Sequence, residues 1–92
     1  MRYLVIERYR HGPGPVYARV AERGRILADG LVFLDSWIDE RSLSTCWQLM
    51  DAPDLAAFEP WLEAWRDLVD FEIVPVVSSA EAAAARASDA GP

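Results

Sequence analysis

Two acidic side chains stand inside apolar runs of this chain, Glu7 in RYLVIERY and Asp35 in GLVFLDSWI. Burial among hydrophobic groups disfavours a carboxylate's charged form, which turns the carboxyl into a proton donor near neutral pH. Glu7 and Asp35 are therefore the candidate catalytic residues, a carboxyl pair in a partly dry cavity. Aromatic side chains lie beside them in sequence, Tyr3 and Tyr9 around the first, Trp37 and Trp47 around the second. Tyr3, Glu7, Tyr9, Asp35, Trp37 and Trp47 together make a candidate ligand pocket, aromatic and acidic, able to cage a planar molecule. The competing reading is structural: the carboxylates satisfy indole N–H, tyrosine hydroxyl or backbone donors, and the tryptophans fill core and interface.

Other chemistry has thinner support. Cys46 and His11 are a nucleophile-and-base combination by type, but nothing in the chain brings them together, and an isolated apolar-flanked cysteine reads as a buried, inert thiol. One histidine leaves no metal-ligand spacing, so no metal and no cofactor are expected. The loop HGPGP precedes a helix, as phosphate-binding loops do, but its glycine spacing fits no nucleotide motif and no Lys-Ser/Thr pair follows.

Composition narrows the class. Ninety-two residues, 52% hydrophobic and 26% charged, specify one small globular domain. All nine basic residues are arginine against fifteen acids, a net charge of −6. Up to Ala28 there are six arginines and two glutamates; from Asp29 there are three arginines and thirteen acids. An acidic chain without a basic, aromatic-interleaved patch is not a nucleic-acid binder. A single cysteine makes no internal disulfide, and no run approaches the roughly 20 apolar residues of a membrane span. A cytoplasmic protein is expected.

The elements that must position these residues follow in order. Residues 3–9 alternate with period two, Leu4 and Ile6 on one face and Tyr3, Val5, Glu7 and Tyr9 on the other, which predicts a central strand. Residues 16–27 predict a helix with a Val16, Val20, Leu27 stripe and Gly24 inside it. Residues 31–38 and 43–50 predict a hairpin around the polar turn 39–42. A register with Trp37 opposite Thr45 and Asp35 opposite Trp47 is expected, though a one-residue slip would exchange the faces. Asp51, Pro53 and Asp54 signal a second helix carrying Leu55, Phe58, Leu62 and Trp65, which Pro60 either kinks or restarts. Residues 71–77 predict a strand that Pro75 confines to an edge or an end.

Strand, helix, strand, strand, helix, strand is the ferredoxin-like βαββαβ order, an α+β fold whose four-stranded antiparallel sheet carries both helices on one face. Residues 1–78 form the domain; residues 79–92 are an alanine-rich tail or short helix with a frayed end. Leu4 and Ile6 are assigned to the helix side. Tyr3, Glu7, Tyr9, Asp35, Trp37 and Trp47 then share the open face, where a second copy of the chain would cover them.

MRYLVIERYR, ERGRIL before GLVFLDSWID, CWQLM and WRDLVDFEIVPVVSSAEAA resemble a bacterial domain-of-unknown-function family grouped with the dimeric α+β barrel proteins. The resemblance implies the same fold and a homodimer, and it carries no catalytic residues to transfer. Fold alone does not choose the activity. Three functions are therefore expected to compete. One is a small dimeric protein binding a small molecule between sheet and partner. Another is a cofactor-independent enzyme of the small-monooxygenase type using Glu7 or Asp35, and the last is a dimer with no pocket.

Overall fold

A computed structural model describes residues 1–89. The strands are β1 (Arg2–Tyr9), β2 (Val32–Ile38), β3 (Thr45–Asp51) and β4 (Val69–Val76); the helices are α1 (Pro13–Arg23), α2 (Glu59–Trp65) and α3 (Ser79–Asp89). All strand pairs are antiparallel, in the order β2-β3-β1-β4. This is the expected ferredoxin-like arrangement, with β1 central and Pro75 on an edge strand. Helix α3 occupies much of the tail; the expected frayed end, residues 90–92, lies outside the described residues.

Tyr3, Val5, Met50, Val16, Phe58, Trp61, Trp65 and Val69 form the core, so α1 and α2 cover the same sheet face. That face is the one carrying Tyr3, Val5 and Glu7, whereas Leu4 and Ile6 lie on the open side, half-buried. The expected side assignment of β1 is reversed. Both rows of β1 are apolar, so alternation alone does not decide between them. Packing does: Tyr3 meets the Phe58 ring edge-to-face at 5.2 Å, and Val5 is fully buried.

Helix α1 starts and stops earlier than its pattern predicts. Gly12 (φ 74°) precedes it, and Pro13 opens it without losing a hydrogen bond, because first-turn N–H groups have no intrahelical partner. Pro13 and Pro15 also remove two of the N–H groups an anion would need there. Gly24 ends the helix at φ 68°, ψ −156°, donating its N–H to the Val20 carbonyl at 2.8 Å. That backbone conformation belongs almost solely to glycine. Space for a Cβ is open at Gly24, so Gly24→Ala isolates the backbone term. Urea unfolding should show a loss of about 1–3 kcal/mol.

The hairpin turn is longer than expected. Asp39 N–H bonds the Thr45 carbonyl, Leu43 sits at φ 53°, and β3 begins at Thr45. Trp37 therefore pairs with Trp47 and Asp35 with Leu49, a shift of two that leaves their faces unchanged. A bulge between Phe33 and Asp35 turns Phe33 to the helix side, opposite Met50. In the second helical region Pro60 marks a fresh start. Asp54, not Asp51, caps a 3₁₀ turn (Leu55–Phe58) by accepting from Ala57 N–H at 3.0 Å; Asp51 ends β3. The change of helix type resets the phase, burying Trp61 with Phe58 and Trp65 and leaving Leu55 exposed.

Candidate functional site

The segment between α1 and β2 is the keystone of the site. The indole N–H groups of Trp61 and Trp65 both donate to the Arg25 carbonyl, at 3.2 and 3.1 Å. Ile26 follows at φ 56°, a conformation that costs a β-branched residue of the order of 1–3 kcal/mol. The two indoles hold that strained bend and aim the Arg25 side chain back over the sheet. Its guanidinium lies 3.7 Å from the Phe33 ring centroid, and its Nη1 donates to Gln48 Oε1 at 3.3 Å. With its oxygen so engaged, Gln48 turns its amide NH₂ toward Glu7 Oε2, to which it donates.

Glu7 is the end of this chain of contacts and is only 5% exposed. Above it lies a cavity of about 250 Å³ between the helices and the helix-facing side of the sheet. Buried Val16, Cys46, Gln48, Trp61 and Trp65 line it, while the more exposed Tyr17, Val20 and Trp37 border its mouth. Glu7 Oε2 is engaged by Gln48, and Oε1 has no hydrogen-bond partner among the described residues. No side-chain oxygen or nitrogen described is both sealed from solvent and unpaired. Oε1 is therefore the carboxyl oxygen left open to the cavity.

Burial pushes the Glu7 carboxyl up to about 7, against the opposing pull of the Gln48 hydrogen bond and the Arg25 charge. A group near that value both gives and takes a proton at neutral pH. Its neighbours are held neutral. Burial, reinforced by Cys46 and Glu7, drives the Tyr9 hydroxyl strongly upward. Burial and the Glu7 charge push the Cys46 thiol up to about 11. Cys46 is thus a protonated thiol and not a nucleophile. In native protein at pH 7.5 it should resist alkylation by iodoacetamide and react promptly once unfolded; stoichiometric labelling of the folded chain would contradict this.

The six sequence candidates divide. Glu7, Tyr9 and Trp37 border the cavity; Tyr3, Asp35 and Trp47 do not. Tyr3 belongs to the core beside Phe58, and Asp35 and Trp47 lie on the other side of the sheet; Trp37, paired with Trp47, shares that side and meets the cavity only at its rim. Glu7 and Asp35 accordingly do not form a carboxyl pair. Asp35 is exposed and caps its own neighbour, accepting from Ser36 N–H at 2.8 Å. His11 is exposed in the β1–α1 turn and does not reach the cavity. Among the described residues no three His, Cys, Asp or Glu side chains converge as metal ligands. The residues missed were Gln48 and Arg25. The signal for Gln48 was its place in the β3 alternation, between Cys46 and Met50 on an otherwise apolar row. Arg25 offered none, because a helix was expected to run through it.

Outside the site, Arg19 clamps α1 to the end of α2. Its guanidinium grips both Asp67 carboxyl oxygens at 2.7 and 2.8 Å, donates to the Ala64 carbonyl at 2.9 Å, and lies 5.4 Å from the Trp65 ring centroid. The Arg19 hydrogen bonds hold the Asp67 carboxyl down to about 2. The clamp fixes Trp65, and through it the carbonyl of Arg25.

A ferredoxin-like α+β domain with one buried carboxyl that opens a single oxygen to a cavity is the class that fold and site define. Residues 1–89 match the family described as Domain of unknown function (DUF3303), and the chain belongs to that family. Neither the curated proteins nor the solved structures contain a match.

Proposed function

We propose that the chain binds a small molecule in the cavity between its helices and its sheet. The observation that carries this is Glu7 Oε1, an acceptor that no described residue pairs and that opens to the cavity from an otherwise buried side chain. An oxygen open to a cavity can take a donor from whatever enters it, and here the space is large enough for a small ligand. Trp61 and Trp65 line the cavity, so their fluorescence should change saturably as small aromatic compounds are titrated in. Val20→Phe at the mouth should weaken that response, since Val20 is 38% exposed and its enlargement leaves the core intact. A non-saturating or unchanged signal would contradict the reading.

A second reading, a cofactor-independent acid–base enzyme of the small-monooxygenase type, is favoured by the Glu7 carboxyl's place at about 7. Turnover that vanishes in Glu7→Gln while binding persists would establish it; binding without turnover would leave a binding protein. Asp35→Asn should change neither.

The working unit we propose is a homodimer closed through the open sheet face. Leu4, Ile6, Trp47 and Leu49 form its apolar centre, and Arg2, Arg8, Asp35, Asp70 and Glu72 its edges in both signs of charge. An apolar centre with a polar rim is the anatomy of an interface. Four strands at about 4.8 Å and seven residues at about 3.3 Å give a face of roughly 19 by 23 Å. That footprint of roughly 440 Å² is about half of the roughly 800 Å² per partner of a stable complex, so loops and edges around the sheet must supply the rest. Light scattering should give twice the 10.3 kDa chain mass; a monomer at micromolar concentration would overturn the dimer. The cytoplasm is the compartment we propose, supported by a lone, unpaired Cys46. Among the described residues no helix is long and apolar enough to cross a membrane.

A further inference from the structure

We infer that the cavity's ligand is a planar, nitrogen-bearing cation, of amidinium or protonated N-heterocycle type, that donates an N–H to Glu7 Oε1. This rests on the cavity reading above and names the ligand's chemistry.

Size sets the first limit. A cavity of about 150 Å³ holds benzene, so about 250 Å³ takes one substituted ring or a fused pair and no more. The walls set the second. Trp61 and Trp65 are buried in the helix-side wall, and Tyr17 borders the mouth, presenting aromatic surface that favours planar partners and cations. The polar end sets the third. Glu7 Oε2 is taken by Gln48, which is itself held by Arg25, so no described protein donor competes for the open Oε1 and a ligand's donor has only solvent to displace there. An ionised carboxylate is acceptor-only, and its hydrogen bond to a charged donor is worth about twice a neutral one.

The groups facing Glu7 agree with a cationic guest. From β1 and β3 come Tyr9 and Cys46, both held protonated and uncharged at neutral pH, and the neutral Gln48. Tyr17 comes from α1, Ser36 from β2, and Phe71 of β4 pairs with Glu7; α2 brings only indoles. Arg25 is the one cation among the lining residues described, and it is already engaged by Gln48 and stacked on Phe33. A bound cation adds its charge to that of Arg25 in favouring the ionised Glu7, whereas an anion would meet the carboxylate head-on.

Isothermal titration with benzamidine, acetophenone and benzoate tests this at matched ring size. At pH 8, above the Glu7 carboxyl's value of about 7, benzamidine should bind about tenfold or more tighter than either of the others. At pH 5.5 that preference should shrink several-fold, with proton release on benzamidine binding near pH 7. In Glu7→Gln at pH 8 the preference should fall to about threefold or less while acetophenone still binds, which also reports that the variant is folded. Acetophenone or benzoate binding as tightly as benzamidine to the wild type would overturn the cationic ligand and leave the cavity reading standing. A preference that survives in Glu7→Gln, or is unchanged at pH 5.5, would overturn it equally. Failure of all three probes at millimolar concentration would overturn both.

Discussion

Glu7→Gln should stabilise the protein at pH 8, by on the order of 3 kcal/mol, and should leave it nearly unchanged at pH 4. The Glu7 carboxyl sits at about 7 in the folded chain against an ordinary 4.5, and each unit of such a difference is worth about 1.4 kcal/mol. Because the folded-state value is raised, the folded chain holds the proton more tightly than the unfolded one between those two values. Stability from this group is therefore complete below 4.5 and falls as pH climbs to 7. A glutamine keeps the shape, still accepts from Gln48 Nε2, and never charges. The gap between variant and wild type should open across that window and stay constant above it, because other titrating groups are common to both. At about 4–8 °C per kcal/mol for a domain of this size, the melting temperature at pH 8 should rise by roughly 12–24 °C. A gap that does not vary with pH would mean that Glu7 is not desolvated as its burial requires.

Phe58→Ala should cost about 3–5 kcal/mol, a large part of the 5–15 kcal/mol that holds a small domain together. Phe58 is fully buried where the 3₁₀ turn meets α2, with the Tyr3 ring at 5.2 Å and the Trp61 ring at 6.2 Å. Its removal leaves a cavity that two rigid aromatic rings cannot collapse to fill. It also loosens Trp61, one of the two indoles that hold the Arg25 carbonyl. Urea unfolding followed by tryptophan fluorescence should show the midpoint fall sharply; a loss under about 1 kcal/mol would place Phe58 outside the core.

The topology was legible because its signals were local. Alternation in RYLVIERY, polar residues at the hairpin, Asp54 before an apolar stretch and Pro75 near the chain's end each constrain one element, and their order leaves few folds. The site was half legible. Glu7 announced itself as a carboxyl in an apolar run, and that much holds. Its side of the sheet did not follow, because Leu4 and Ile6 are as apolar as Tyr3 and Val5. Only the fit of Tyr3 against Phe58 chooses between the two rows. With the wrong row, Glu7 joins Asp35 and Trp47 on the open face; with the right one, it meets Gln48 and the cavity. Arg25 was out of reach for a different reason. Its role depends on a left-handed bend at Ile26 held by Trp61 and Trp65, some 36 and 40 residues further along the chain. No local pattern encodes an isoleucine at φ 56°. Ile26, next to Arg25, and Glu7 are where local preference and structure disagree beside the cavity; Leu43, at φ 53° in the hairpin turn, departs from preference away from it.

The most direct measurement is a carbon-detected NMR titration of the Glu7 side-chain carboxyl, assigned by its disappearance in Glu7→Gln. A midpoint near 7, moving down when benzamidine is bound, is the outcome predicted for a desolvated carboxyl with one oxygen open to a cavity. A midpoint at or below 4.5, the ordinary value, would place Glu7 in a solvated or fully paired setting and contradict the site.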